Sequence, residues 1–324
     1  MTASTAPLTV IAPPYVPPRS GRTTGLIMAV GSALAFSSSG PVVKPLLEAG
    51  WSLGTALLIR MGVSALLLSP ALVLAIRRER GFVRRHGRVI LLFGLTAVAG
   101  CQLLFFSAMQ RMPVAIALLI QYLAPVLLVI YAWLRTRRAP SRLVVAGSLV
   151  AIVGLVLVVD IAGARFDLLG TLLALGAAVC MGVYFVVSER AGEDLPPLAL
   201  ASGGLFVGTA LFGILLAVGI LPFAAPIVTV PLAGVLVPGI VAILWVAVAT
   251  AVGYAIGVMA VPRIGSRVAS FVGLSEVLFA LGFAWLLLGE TPAPVQFAGG
   301  ALILVGVILV RADASATRPA APAP

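Results

Sequence analysis

Glu276 is the one ionisable residue in an apolar run from Val268 to Leu288. At the rise of an α-helix it lies about 12 Å along that run, near its middle. A charge at that depth in hydrocarbon costs from about 2.5 kcal/mol to far more. The carboxyl must therefore face a cavity, pair, or stay protonated. Such a group can exchange a proton or hold an ammonium. The plainer alternative is a neutral carboxyl hydrogen-bonded between helices. Arg60 sits a third of the way along a second apolar run, 53–76. Its guanidinium stays charged and presents a planar fork that matches a carboxylate. A structural partner for backbone carbonyls and a snorkelling side chain are the alternatives. Lys44 and Glu48 close the first apolar run, as a gate or as a solvated helix end.

Uncharged polar residues recur at similar depths in other runs. Gln102 and Tyr254 are separated by 152 residues, Ser39 and Tyr184 by 145. Ser37, Ser38 and Ser39 precede Gly40-Pro41, and Gln121 and Tyr122 precede Pro125. A proline inside a helix frees a carbonyl one turn back and bends the chain, which exposes polar backbone to a cavity. Trp245 and Phe105 supply possible aromatic walls. Each residue alone is more often glue between helices than a ligand contact. Together they place polar groups on four or five helices at one level, which favours a substrate cavity. Enzyme chemistry finds no support. There is no metal-ligand cluster, no phosphate-binding Gly loop opening on Lys-Ser/Thr, and no nucleophile with a base. No cofactor or metal is expected. His86, the single histidine, lies in a basic loop and is expected to be solvated. Cys101 and Cys180 are expected to behave as small buried hydrophobes.

The elements that position these residues are membrane helices. A mean hydropathy of +1.20, with 61% hydrophobic and 10% charged residues, leaves too little polar surface to cover a water-soluble globule. The net charge of +11 would suggest nucleic acid in a soluble chain. Here the arginines sit in short loops between apolar runs, and the lipid bilayer is the partner. Those runs fall at 25–43, 53–76, 89–109, 114–134, 143–159, 170–188, 198–220, 235–260, 268–288 and 294–310. Each is long enough to cross about 30 Å of hydrocarbon. They are numbered below as spans 1 to 10. Span 1 is too long for a signal-peptide core and is expected to stay in the mature protein. Residues 1–23 and 312–324 are rich in Pro, Ala, Ser and Thr and are expected to be disordered tails.

The chain also repeats itself. Residues 89–158 align on 241–310 without a gap, and 17 of the 70 positions are identical. Chance in this composition would give about 8, and the excess includes Arg111/Arg263, Trp133/Trp285, Pro140/Pro292, Gly147/Gly299 and Gly154/Gly306. Gly25–Lys44 pairs more weakly with Gly170–Glu189. The charges do not follow the repeat: Arg135–Arg138 maps on a stretch ending in Glu290. With the N-terminus in the cytoplasm, inside segments hold 17 Lys and Arg, outside segments 3 (Lys44, Arg111 and Arg165), and Arg60 lies within a span. That ratio predicts both termini in the cytoplasm. Five spans per copy is an odd number, so the second copy enters the membrane upside down. The reading is an all-α membrane protein: a first five-helix repeat at 24–160 and an inverted second at 168–311. Equivalent midspan residues of such a pair meet at the centre, where transporter sites lie.

These features resemble the drug/metabolite transporter superfamily, and within it the ten-helix EamA-type proteins. The likeness rests on Phe36-Ser-Ser-Ser-Gly-Pro-Val-Val-Lys44, Glu48-Ala-Gly-Trp51 with Arg60 after it, and the Ala115–Val126 run with Ala124-Pro125-Val126. Trp285-Leu-Leu-Leu-Gly-Glu290 and the Gly299–Gly306 span complete it, over about 25–310. Two departures stand out. Arg135–Arg138 replaces the Gly-Glu usual after span 4, and Val277 stands where a proline commonly follows the glutamate of span 9, so a different packing is expected there. The resemblance implies export of small metabolites, often amino acids, across the inner membrane. A basic residue is common at the place of Arg60, which favours its structural reading.

The expected protein is a secondary transporter of small polar or zwitterionic metabolites, amino acids first, with a proton as candidate coupling ion. Efflux of cationic drugs, with Glu276 as cation site, is the alternative. A membrane sensor or assembly subunit without a transport cycle ranks below both. Inverted repeats favour transport because they supply two near-equivalent states. The scarcity of Lys (1 against 20 Arg) and the absence of Asn fit a GC-rich bacterial genome. No nucleic-acid partner is expected, and a monomer is expected ahead of a homodimer. The topology makes a direct prediction. Single cysteines replacing Ser141 and Ala293 should label from opposite sides, and a membrane-impermeant thiol reagent added outside should reach Ala293→Cys and not Ser141→Cys.

Overall fold

The computed structural model describes residues 19–109, 111, 117, 120–137, 139–159, 167–191, 195–289 and 293–316. Within them lie ten apolar helical segments, and the protein is a ten-helix membrane fold. Seven of the segments are long and apolar enough to cross a bilayer, and three shorter apolar helices belong to spans 4, 5 and 10. In hydrocarbon each backbone N–H and C=O must find a partner within its own segment, which is why an apolar run of this length becomes a helix.

Span 1 runs from Arg19 to Ser37 and resumes from Ser39 to Glu48. Span 2 is Leu53–Arg78, started by Ser52, whose Oγ accepts the Thr55 amide. Span 3 is α-helical over Phe82–Phe93, a π-helix over Gly94–Gly100, and α-helical again over Cys101–Met109. Span 4 is described as Ala124–Thr136, and span 5 is Arg142–Val159. Span 6, Leu168–Arg190, is capped by Asp167, which accepts the Gly170 amide. The same carboxylate lies 3.5 Å from Arg111, joining the two halves of the chain. Spans 7 and 8 are Pro197–Ala217 and Gly239–Ile264. Span 9 is Ser266–Gly273 followed by Ser275–Leu288, and span 10 is Pro294–Ala316.

Packing follows the duplication. Span 1 packs on span 8 as span 6 packs on span 3, and span 1 on span 9 as span 6 on span 4. Span 2 meets its own counterpart, span 7, and span 5 meets span 10. The last pair shows the direction of the repeats. A Cβ on Gly147 would lie 2.9 Å from the Gly306 carbonyl oxygen, and one on Gly154 would lie 2.6 Å from that of Gly299. Residue number rises along one helix while it falls along the other, so equivalent helices run antiparallel. The two halves are inverted, and the pseudo-twofold axis passes through this glycine crossing.

Four features differ from the sequence expectations. Between spans 7 and 8 the uncharged segment forms an antiparallel hairpin, β1 (Thr229–Leu232) and β2 (Val235–Pro238), and span 8 starts at Gly239 rather than 235. Its two-residue turn, Ala233-Gly234, has both φ positive, at 51° and 77°, the geometry whose twist suits a hairpin. Span 3 starts at Phe82, before its apolar run. His86 is buried, with 6% of its surface exposed, rather than solvated. The helix puts Phe82 and His86 on one inward face with rings 4.9 Å apart, and Glu79 lies 3.5 Å from His86 Nε2. The fourth is at the two ends, where helix extends into the expected tails: span 1 is helical from Arg19 and span 10 stays helical to Ala316. Residues 1–18 and 317–324 of the expected tails lie outside the described residues, as do Arg138, Arg165, Glu290, Pro292 and most of 112–119.

The crossing yields a prediction. The side chain of Gly154→Val must displace backbone atoms of span 10 rather than flexible side-chain ends. Overpacking of this kind costs about 1–3 kcal/mol, and the variant should melt at a lower temperature in detergent. Gly282→Ala, where a Cβ meets nothing within 4 Å, is the control and should melt unchanged.

Candidate functional site

Three spans are interrupted near mid-depth. Span 1 breaks at Ser38, span 4 turns at Tyr122-Leu123 before its helix restarts at Ala124, and span 9 breaks at Leu274. Tyr122 and Leu274 are 152 residues apart and thus equivalent in the repeat. Pro125 accounts for the break in span 4. Span 9 breaks in the same place with Val277 there instead. Non-helical backbone at membrane depth is tolerated where it lines a cavity, and Ser37, Ser39, Tyr122 and Gly273, at or beside these breaks, line one.

The cavity has a volume of about 750 Å³, ample for a small metabolite. It lies between the repeats, walled by spans 1, 2, 3, 4, 6, 8 and 9. Ser37, Ser39, Gln102, Gln121, Tyr122, Tyr184, Tyr254 and Glu276 all line it, as do Lys44 and Arg60. The sequence pattern thus brings together ten of its eleven candidates. Trp245 is the exception: it is 56% exposed on the outer face of span 8. Neighbouring Val246, Ala247 and Thr250 are the residues of that turn which point inward. Phe105 lines the cavity as expected.

At one end the wall rises to Lys44, Glu48 and Leu288, and both charged residues are exposed. A second space of about 720 Å³ adjoins it there, beneath the hairpin, and shares Lys44, Glu48 and Leu288. The hairpin segment is held on both sides. Trp51 Nε1 donates to the Pro226 carbonyl (3.0 Å), the Ser52 amide to that of Ala224 (2.9 Å), and the Ala233 amide to that of Leu287 (2.8 Å). The other end carries the arginine-rich segments, and here the cavity stops. Its floor is an apolar cluster of Ala29, Leu128, Phe185, Ala260, Val261, Ile264, Val268, Ala269 and Val272.

Within the cavity the polar groups divide by their partners. Ser37 and Ser38 donate back to the carbonyls of Leu34 and Ala35 (both 2.8 Å), which occupies them locally. Ser39, 3% exposed, has a buried hydroxyl with no partner among the described residues. Gln121 Nε2 donates to Cys101 Sγ (3.3 Å), a bond between spans 4 and 3. Tyr122 and Glu276 line the same cavity from spans 4 and 9. Tyr184 and Tyr254 meet edge to face at 6.1 Å, and Phe36 sets its edge on Tyr254 at 5.1 Å. These rings give the mid-depth wall an apolar, shape-defining side. Sequence reasoning missed Ser32, Phe36, Cys101 and Phe185 on the wall. Ser32 was findable as a polar residue at the depth of the others. The rest are apolar or weakly polar and carry no signal until the fold orients them.

Comparison with known proteins follows this geometry. The profile of the EamA-like transporter family matches twice, at 23–160 and 168–312. The probable terminal-alkyne amino-acid exporter of Streptantibioticus cattleyicolor is 28% identical over 285 residues, 86% of this chain and 90% of that protein. The threonine/homoserine exporter RhtA of Escherichia coli K12 is 27% identical over 254 residues, 76% of this chain and 79% of that one. One solved chain superposes with a TM-score of 0.70 over 90% of this chain and 99% of its own, and at 18% identity it shows the fold alone.

The crowding at Gly257 gives a test of the mid-depth wall. A Cβ there would lie 2.5 Å from the Tyr184 hydroxyl and 2.7 Å from Ser32 Oγ. Ser32 Oγ is held by the Gly253 carbonyl at 2.7 Å and Tyr184 packs on Phe93, Phe185 and Tyr254, so Gly257→Ala must displace both and should lower the melting temperature in detergent. It should push the tyrosine into the cavity and slow transport several-fold, read as initial rates in liposomes.

Proposed function

The chain belongs to the EamA-like transporter family, and on that premise we propose that it exports small amino acids across a bacterial inner membrane by alternating access. The observation that carries this reading is the cavity itself. It is a single mid-depth chamber between inverted repeats, with an acidic group and a mixed hydroxyl, amide and aromatic wall, open toward one end and sealed by apolar side chains at the other. The relatives named as amino-acid exporters support the substrate class.

Orientation comes from the arginines. The end bearing Arg77–Arg88, Arg135, Arg137, Arg142, Arg190, Arg263 and Arg267 faces the cytoplasm, by the 17-to-3 excess of basic residues. Both termini share that side. The cavity then opens outward, and the Phe185–Ile264–Val268 cluster is the closed inner gate. Exchange of the two repeats' conformations would open the cytoplasmic side and close the outer one. The proton is the coupling ion proposed, with facilitated diffusion the alternative. Glu276, at the restart of the broken span 9, is the group that exchanges the proton or contacts the substrate amine.

Liposomes containing the purified full chain test this directly. They should move labelled L-threonine and L-homoserine, and a cell-permeant quaternary ammonium dye should neither be moved nor compete. Transport of the cation alone would overturn the amino-acid reading. Glu276→Gln keeps the shape of the side chain and removes its titration. It should fold at normal yield, with transport lost or no longer dependent on pH. An unchanged rate and pH profile would make the residue interhelical glue.

A further inference from the structure

Arg60 has a place in the cavity that a structural role does not account for. Its Nε donates to Thr250 Oγ1 at 2.7 Å, across from span 2 to span 8. Thr250 is fully buried, and its own hydroxyl proton goes to the Val246 carbonyl at 2.7 Å. The threonine is therefore fixed as an acceptor, and it sets the plane of the guanidinium. The link between the two helices does not need a charge, because one turn on, Ser64 Oγ lies 2.7 Å from the Ala247 carbonyl and joins the same spans. What remains is the outer edge of the guanidinium, the fork that matches a carboxylate. Arg60 lines the chamber, and among the described residues it makes no ion pair with Glu276 or any other acid.

Glu276 lines the same chamber on span 9, as Tyr122 does on span 4. Two opposite charges thus face one membrane-embedded cavity with no ion pair between them among the described residues, and Arg60 is held by a neutral partner. Charges at this depth are expensive, and opposite ones ordinarily pair. A ligand that carries both signs a few ångströms apart can neutralise the two at once.

We infer that Arg60 is the anchor for the substrate's α-carboxylate and that Thr250 positions it, so that the site selects zwitterions by bridging Arg60 and Glu276. This deepens the export reading above and rests on it. The unpartnered Ser39 hydroxyl lines the same cavity and is free to take a third contact. A molecule with an amine and no carboxylate leaves Arg60 uncompensated and is rejected. The selectivity against simple amines and cationic drugs then comes from the arginine rather than from the size of the chamber.

The test uses the full chain in liposomes with L-threonine, L-threonine methyl ester and 1-amino-2-propanol, which is threonine without its carboxyl group. On the wild type, the ester and the amino alcohol should compete with labelled threonine at least ten-fold more weakly than unlabelled threonine does. Equal competition overturns the anchor with no variant needed. Arg60→Gln should raise the KM for threonine ten-fold or more and abolish the discrimination against the two analogues. Thr250→Val removes only the positioning contact. It should raise KM several-fold with kcat little changed, and it keeps the question answerable if Arg60→Gln does not fold. An Arg60→Gln or Thr250→Val protein with wild-type KM and wild-type discrimination sinks the anchor and leaves the export reading standing. A wild type that moves no threonine overturns the export reading for that substrate, and the anchor with it.

Discussion

Hydrocarbon cannot hydrogen-bond, and that constraint governs the whole architecture. Each peptide group within the bilayer must be satisfied inside its own helix, or else be sheltered by protein or by water in a cavity. A chain so deficient in polar side chains therefore folds as continuous helices wherever lipid surrounds it. Its interruptions at Ser38, Tyr122-Leu123 and Leu274 converge on one chamber. The breaks and the cavity explain each other. Freed carbonyls need a polar space, and the space exists because the helices around it do not run straight. The π-helical stretch Gly94–Gly100 in span 3 is a milder instance, with Gly94 packed closely on span 7.

Inverted duplication supplies symmetry, and function needs departures from it. Gln102 and Tyr254 occupy equivalent places on opposite walls and differ in chemistry. Glu276 has Ala124 as its counterpart, and Thr250 has Val98. The last two departures each add a polar group on one side of the chamber only. The result is a directional arrangement of charge inside a nearly symmetric frame. That is the arrangement needed by a site that orients a dipolar ligand while the frame alternates between two related shapes.

Much of this was legible in the primary structure, for physical reasons. Hydropathy is a strong signal when the solvent is lipid, so ten spans could be counted, although spans 1, 3 and 10 extend six or seven residues past their apolar runs. Ionisable groups in apolar runs stand out against a nearly silent background, which is how Glu276 and Arg60 were found. Their partners were not legible. Thr250 is one hydroxyl among many residues of span 8, and its contact with Arg60 joins positions 190 apart. Trp245 shows the converse failure. An aromatic ring at the right depth was read as a wall, but depth along a helix does not fix its angular face, and the ring points away. The hairpin escaped notice because 235–238, Val-Leu-Val-Pro, is apolar enough to extend a membrane run. The burial of His86 followed from a helix start at Phe82, whose inward face of Phe82, His86, Ile90 and Phe93 is interrupted in the sequence by basic residues.

The glycine crossing of spans 5 and 10 has a consequence for how the two copies can diverge. Gly147 touches Gly306 and Gly154 touches Gly299, so each copy's helix rests on the equivalent helix of the other. A residue on the axis is read twice, once by its own fold and once by its duplicate. A bulky change in either copy collides with the helix that descends from the same ancestor, and neither can drift alone. Residues away from the axis escape that mutual veto. The axis thus acts as a record of the ancestral segment, and the freedom to become a chemically specialised machine lies at the periphery of the symmetry.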